Sequence, residues 1–247
     1  MGAVAVTEQA IINEAHSRGL AIPDRKRQRD DVVNVPAVGA YVAFPKKGLH
    51  SWIGSLDINS LYPSVLRSLN MGNETIVGQL RSDTTKNYID NKINKEKKSA
   101  ADAWEGLFGT LEYQAVMEKD VGTEIVCDFE DGDTQSMSGA EWHKVIYETD
   151  SEWALSSNGT IFRQDIKAVV PGLLERWYAE RKVMQGKMRD AIASGNDKDI
   201  TFWDKRQLVK KINLNSLYGA LLNPGCRFFD IRIGQSVTLT GRTITKH

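Results

Sequence analysis

The chain is poor in several things at once. It has two cysteines, Cys127 and Cys226, far apart and in no metal-ligand spacing. That excludes a disulfide framework and suits a reducing compartment. Its four histidines, His16, His50, His143 and His247, form no ligand pair. No apolar run approaches the length needed to span a bilayer. The N-terminus lacks the basic flank and long apolar core of a signal peptide. Met1-Gly2 begins like a myristoylation site, but Val6 stands where Ser or Thr is wanted. These absences point to a soluble, cytoplasmic protein. Charge of one sign is lacking too. Basic and acidic residues number 32 each, so net charge gives no sign of a nucleic-acid partner.

The distribution of charge says more. Arg163, Lys167, Arg176, Arg181, Lys182, Lys187 and Arg189 lie close together, and Lys205, Arg206, Lys210 and Lys211 follow. Acids concentrate at 118–133. Such segregation is a weak footprint for phosphates, and solvated helix faces explain most clusters of this kind equally well.

The most informative stretch is Ser55-Leu56-Asp57-Ile58-Asn59-Ser60-Leu61-Tyr62-Pro63-Ser64. It reads as a strand to about Ile58, a tight turn, and a helix from about Leu61. Pro63 fits a first helical turn, where a missing N–H costs nothing. Asn59 or Ser60 is the candidate N-cap. Leu61, Val65, Leu66 and Leu69 repeat at helical spacing and would face a core. A carboxylate would then stand at a strand end, beside free N–H groups aimed at the same space. The carboxylate can hold a divalent cation, and the helix terminus phosphate oxygens. The plainer alternative is an Asp capping a turn before an ordinary core helix.

The rest of the chain divides by its turn signals. Residues 7–20 read as an amphipathic helix with Thr7 as N-cap and Gly19 as its stop. The charged run Asp24 to Asp31 reads as an exposed connection. Strands are expected from Val38 to Phe44 and from Leu49 to Ile58. Asn87 to Ala103 reads as a lysine-rich helix or mobile segment, and Leu107 to Met117 as a possible helix. Asp131-Gly132 is a strong hairpin signal between Thr123–Phe129 and Thr134–Met137. The acids at its tip lack an EF-hand's glycine position, so a solvent-exposed acidic turn is the better account. Ser157-Asn158-Gly159-Thr160 reads as another turn. Two long helices follow, at about 171–193 and 201–222, broken by Ser194-Gly195-Asn196-Asp197. Short-linked helices are usually antiparallel neighbours. Residues 224–232 read as turn and strand.

On the second long helix, residues 211, 215, 218, 219 and 222 share one face, because steps of three and four return to the same side. Gly219 is out of place in a helix interior. Either the helix packs closely against another, or something outside the chain approaches its backbone.

Two of these stretches carry a family resemblance. D-x-x-S-L-Y-P-S at 57–64 resembles the first polymerase motif of family B (polymerase-alpha-like) DNA polymerases. Lys211-Ile212-Asn213-Leu214-Asn215-Ser216-Leu217-Tyr218-Gly219 resembles that family's K-x-x-x-N-S-x-Y-G motif, in the right order along the chain. Gly39-Ala40-Tyr41-Val42 is similar to the strand leading into the first motif. Glu74-Thr75-Ile76-Val77-Gly78 and the short helical pair are most like polymerases of T4-like tailed phages. Asp128-Phe129-Glu130 has the form of a proofreading D-x-E, but it stands on the wrong side of the first motif.

The resemblance implies the following roles. Asp57, with the Ile58 carbonyl, would ligate the metals, two Mg²⁺ ions in the intact enzyme. The N–H groups of Ser60, Leu61 and Tyr62 would face the triphosphate. Tyr62 would be the steric gate against a ribose 2′-hydroxyl, or else simply a partly buried aromatic. Lys211 would bind the triphosphate and Asn215 orient it. Arg181 of the Arg181-Lys182 pair would reach the terminal phosphate. Gln185 stands where the family often has a further Lys, with Lys187 two residues on. Tyr218 and Gly219 would support a base pair.

The implied architecture is α+β, a mostly antiparallel palm sheet with a helical-hairpin fingers insertion. It divides as 1–30, a junction helix and linker; 31–167, the N-terminal palm with an insertion at about 83–160; 168–223, the fingers; and 224–247, the start of the C-terminal palm. The implied partners are primer–template DNA and deoxynucleoside triphosphates. The second carboxylate motif, Y-x-D-T-D, does not occur in this sequence. The resemblance therefore implies a missing C-terminal palm and thumb, and a chain that does not polymerise alone. The alternatives are a non-catalytic nucleotide- or DNA-binding piece of a split assembly, and a partner-binding protein in which the motifs are relics.

Overall fold

A computed structural model describes residues 2–24, 44–81 and 124–246. The expected strand at Val38–Phe44 (all but Phe44), nearly all of the connection at Asp24–Asp31, and the segments Asn87–Ala103 and Leu107–Met117 lie outside the described residues.

The fold is α+β, as expected. Its helices are α1 (Ala3–Ser17), α2 (Leu61–Ser68), α3 (Gly139–His143), α4 (Val169–Ser194), α5 (Asp197–Leu221) and α6 (Ile231–Lys246). Among the described residues one antiparallel sheet contains β1 (Ile76–Leu80), β2 (Glu124–Phe129), β3 (Thr134–Ser138), β4 (Trp153–Leu155) and β5 (Thr160–Arg163), in the order β3-β2-β1-β5-β4.

Two apolar clusters form the interior. The larger joins Ile11, Leu66, Met71, Phe162, Leu173, Leu174, Leu214, Leu217 and Val237, so α1, α2, α4, α5 and α6 meet there. The smaller joins Leu80, Ile125, Cys127, Trp142, Ile146 and Ile161. Ile161 and Phe162 are consecutive in β5 and enter different clusters, as the alternation of a strand requires. Ile76 and Leu80 would share a face in a regular strand. A register shift between Ile76 and Gly78 sends them to different clusters instead.

The turn chemistry acts as the sequence suggests. Asp131-Gly132 closes the β2–β3 hairpin, with Gly132 at φ 94°. The turn at 157–160 joins β4 to β5 and is bolted to α6. Ser236 donates to Asn158 Oδ1 at 2.7 Å, and Asn158 Nδ2 donates to the Arg232 carbonyl at 3.0 Å. At the break between the long helices, Gly195 adopts φ 68° and Asn196 Oδ1 accepts the Asp199 N–H at 3.3 Å as N-cap. The first long helix begins differently. Ala168 has no capping side chain, and Glu74, from the turn before β1, accepts the Val169 N–H instead. Asn70 adds three bonds nearby, donating to the Arg163 and Ile166 carbonyls and accepting from the Ala168 N–H.

Helix α1 locks onto both ends of this pair. Glu14, almost fully buried, takes Arg18 at 2.8 Å and also pairs with Arg176 of α4. Glu8, also buried, accepts the Arg227 N–H at 2.9 Å just beyond α5.

Four expectations are corrected. First, α1 starts at Ala3 behind Gly2, so Thr7 is a buried residue inside the helix and not its cap. Its end is as expected: Gly19 at φ 68° and Leu20 bonded back to the Ala15 carbonyl make a left-handed stop. Second, residues 49–58 form no strand. They run as irregular chain with Leu49, Trp52 and Leu56 fully exposed, so they lack the neighbour a strand needs among the described residues. Third, 224–230 forms turns and no strand. Cys226 and Phe228 are drawn individually into the larger cluster, and α6 begins at Ile231. Fourth, Ser60 occupies the N-cap position of α2, but its hydroxyl makes no capping bond.

Candidate nucleotide site

Ser60 sits in the left-handed region at φ 54°, ψ 50°. For a residue with a Cβ this costs roughly 1–2 kcal/mol. The first α2 bond runs from the Ser64 N–H to the Ser60 carbonyl at 2.9 Å. Pro63 has no N–H. The donors left without an intrahelical partner are therefore those of Leu61 and Tyr62. Among the described residues they find no acceptor. Both are carried at the positive end of the helix dipole.

These groups border an open depression of about 260 Å³, lined by Ser60, Leu61, Tyr62, Pro63 and Asn215. The two sequence stretches that stood 150 residues apart on paper thus meet at one cavity. Asn215 is exposed on α5, and Lys211 lies one turn before it on the same exposed face. Lys211 forms no ion pair among the described residues. Gly219 continues that face, and a Cβ there would meet nothing within 4 Å. Of the two readings of this glycine, close packing on another helix is not met among the described residues, and its backbone is open there.

Arg181 stands on α4 opposite α5, and its Nε donates to Gln207 Oε1 at 3.2 Å. Lys210 Nζ reaches Glu180 at 2.5 Å beside it, so the helices are cross-linked where the basic residues gather. Lys182 lies over the Tyr178 ring at 4.9 Å, and Arg67 of α2 over the same ring at 5.0 Å. Lys187 is directed elsewhere, over Trp203 at 4.5 Å.

Tyr62 and Tyr218 pack together, ring centroids 4.8 Å apart and tilted by 46°. The Tyr218 hydroxyl donates to the Gly234 carbonyl of α6 at 3.4 Å. Burial pushes the Tyr218 phenol up to about 12, with a hydrogen bond to Thr238 acting against it, so it stays neutral at any ordinary pH.

Asp57 and Ile58 are not part of this cavity lining. They lie on the exposed chain before α2, and Asp57 makes no hydrogen bond or ion pair among the described residues. The plainer reading of Asp57, as a turn cap, is not met. Of the β2–β3 hairpin acids, Asp128 and Glu130 are otherwise engaged, while Asp131 and Asp133 are exposed at its tip. Arg81 holds Asp128 at 2.8 Å, which keeps its carboxyl below the usual range, and Glu130 pairs with Arg232 of α6. Among the described residues no group of three or more His, Cys, Asp or Glu side chains is placed to hold a metal ion.

Sequence reasoning missed Gln207, which orients Arg181, and the packing of the C-terminal helix, α6, behind the two tyrosines. Gly234 and Gly241 inside an otherwise regular helix were the available signal.

The architecture has solved counterparts. The whole chain superposes on 23% of the family B DNA polymerase from the hyperthermophilic archaeon Pyrobaculum calidifontis, with a TM-score of 0.58 at 17% identity. That likeness defines the fold class. The family profile of DNA polymerase family B matches residues 2–247, and the chain belongs to that family. The DNA-directed DNA polymerase of Enterobacteria phage T4 is 24% identical over 98% of this chain and 26% of its own length. That of Escherichia phage RB69 is 24% identical over 84% of this chain and 22% of its own. The chain thus spans about a quarter of the length of these curated relatives. Among the described residues no helix is long and apolar enough to cross a membrane.

Proposed function

We propose that this chain is the nucleotide-holding part of a DNA-directed DNA polymerase, in which it seats an incoming deoxynucleoside triphosphate against a primer–template. The observation that carries this is the depression shared by the α2 start and Asn215. Its lining brings together Leu61 and Tyr62, whose backbone N–H groups find no acceptor among the described residues, and Asn215. Lys211 stands one turn away, and Arg181 on the facing helix. An anion with several oxygens suits these donors, Arg181 as a planar fork and Lys211 as a point charge. In this reading residues 31–167 belong to the palm, 168–223 are the fingers, and 224–247 return to the palm.

Each residue then has a task. The Leu61 and Tyr62 N–H groups, with Lys211 and Arg181, hold the phosphates. Asn215 orients them. Tyr62 closes the sugar side against a 2′-hydroxyl, and Tyr218 and Gly219 present an aromatic face and bare backbone to the base pair.

Asp57 and the Ile58 carbonyl are oxygen donors of the kind Mg²⁺ prefers, and Asp57 is exposed and makes no ion pair among the described residues, so they fit one side of a metal site. Mg²⁺ bound there would stabilise charge on the attacking and leaving oxygens. One carboxylate does not complete such a site, so the 247 residues by themselves are proposed not to extend a primer. The intact enzyme would act in the cytoplasm of a host cell.

The test is steady-state incorporation by the complete active polymerase that carries this chain. Lys211→Ala and Arg181→Ala should each lose a charge-assisted phosphate contact, about 1.5–3 kcal/mol or roughly one to two decades in kcat/KM for the nucleotide. Unchanged kinetics in both variants would remove the assignment.

A further inference from the structure

We infer that Gly241, on α6 and outside the depression, is a positioning residue that sets how far the Tyr62 ring stands toward the sugar of the nucleotide. This rests on the reading of Tyr62 given above and adds to it the element that fixes the ring.

Gly241 is buried inside α6. A Cβ at this position would lie 3.1 Å from Tyr62 Cε1, 3.4 Å from Tyr62 Cδ1 and 3.5 Å from Leu61 Cδ2. The edge of the ring therefore rests on bare helix backbone. Tyr218 takes up another side of it, 4.8 Å away between centroids. Tyr218 is in turn tied to α6 through the Gly234 carbonyl. One helix thus supports both aromatic rings, one by the absence of a side chain and one by a hydrogen bond. Glycine weakens a helix interior, so a glycine at this point needs a reason. The space taken by Tyr62 supplies it.

A methyl group at 241 requires the ring to give by a few tenths of an ångström. The ring borders the depression, so it yields toward the sugar space, where a 2′-hydroxyl would be felt first. The variant Gly241→Ala should therefore disfavour ribonucleotides further than deoxynucleotides. The expected change in the ratio of their kcat/KM values is about threefold or more, carried mainly in KM. Alanine is a better helix former than glycine, so the fold should be kept.

The experiment is a double-mutant cycle in the complete active polymerase that carries this chain, with Gly241→Ala, Tyr62→Ala and the double variant. The readout is the ratio of ribo- to deoxynucleotide insertion efficiency. If Gly241 acts through the ring, its effect on the ratio vanishes in the Tyr62→Ala background, because no ring remains to be pressed. A Gly241→Ala effect of the same size in both backgrounds overturns the inference. So does an unchanged ratio in Gly241→Ala when Tyr62→Ala alters it, and in that case the reading of Tyr62 still stands. An unchanged ratio in Tyr62→Ala overturns that reading, and this inference with it. Should Gly241→Ala fail to fold, recovery of folding in the double variant supports the contact, and failure of both overturns it.

Discussion

Residues 44–60 and 61–81 are consecutive, both carry large apolar residues, and they are opposite in behaviour. In the first, Phe44, Leu49, Trp52 and Leu56 are each at least 94% exposed. In the second, Val65, Leu66, Met71, Ile76 and Leu80 are buried to 7% or less. The difference lies in partners. Helix α2 packs against α4, α5 and α6. The segment before it has no such neighbour among the described residues. An apolar pattern states that a surface needs a partner, and only the partner decides whether it becomes a strand. Yet the exposed segment carries Asp57, the carboxylate proposed to hold a metal, while the buried one carries the packed face of α2 and β1. Chemistry and stability should separate along this boundary.

That separation can be broken by substitution. The largest effect is expected from Asp57→Ala in the complete active polymerase. If the carboxylate holds a metal as proposed, its loss should cost about three decades in primer extension, on the order of 4 kcal/mol. The urea midpoint of the 247-residue chain should not move, since the carboxylate has no partner among the described residues. A parallel fall in stability would show that Asp57 is structural after all.

The converse substitution is Leu66→Ala. Its side chain is fully buried, and truncation should cost about 2–5 kcal/mol in urea unfolding. Leu56→Ala and Trp52→Ala, on the exposed side, should stay within about 0.5 kcal/mol of the parent. If Trp52→Ala is as costly as Leu66→Ala, the segment is packed in solution and the contrast disappears.

A smaller effect concerns alkaline pH. The Tyr218 phenol is raised from 10 to about 12 by burial. The folded chain therefore holds this proton more tightly than the unfolded chain. The associated stability is complete below pH 10 and is lost as pH rises toward 12. Urea midpoints between pH 8 and pH 11 should fall more steeply for the parent than for Tyr218→Phe; that range is an approximate choice bracketing the usual tyrosine value of about 10. Equal slopes would show that the ring is more exposed than the fold implies.

The smallest effect is chemical. Cys127 is fully buried in the smaller cluster, and burial together with Asp128 pushes its thiol from 9 to about 12. Only the thiolate reacts, so iodoacetamide at neutral pH should leave Cys127 unlabelled until urea is added. Ready labelling of the native chain would mean that the β1–β2 region opens easily.

What could be read from the residues alone follows the range of the forces involved. The α4–α5 pair, the Asp131-Gly132 hairpin and the 157–160 turn were legible because caps, glycines and periodicity act within a few residues. The Lys211–Asn215–Gly219 face was legible because helix geometry alone sets it. The start of α1 was not, because Thr7 looks like a cap and is in fact a buried polar residue facing the interior. The strand expected within 224–232 failed because Cys226 and Phe228 are apolar for the sake of the helical cluster and not of a sheet. Ser60 has the right identity for a cap and the wrong backbone. The meeting of Gly241 with Tyr62 depends on the packing of α6 over α2, which no local pattern encodes.

The two buried glutamates of α1 also have a mechanical meaning. Glu14 grips Arg176 near the start of α4, and Glu8 grips Arg227 just after α5. The hairpin is thus clamped at its root, while the Lys210–Glu180 and Arg181–Gln207 links make its two arms move as one. From Arg176 to Ser194 the arm extends about 27 Å at 1.5 Å per residue. A rotation of about 10° at the root would carry the tip roughly 5 Å, close to one helical turn. Arg181 lies only about 7.5 Å from the pivot and would travel about 1 Å. By this geometry the hairpin would be a reducing lever, in which a wide swing at the far end becomes a fine adjustment at Arg181, where a phosphate contact is proposed.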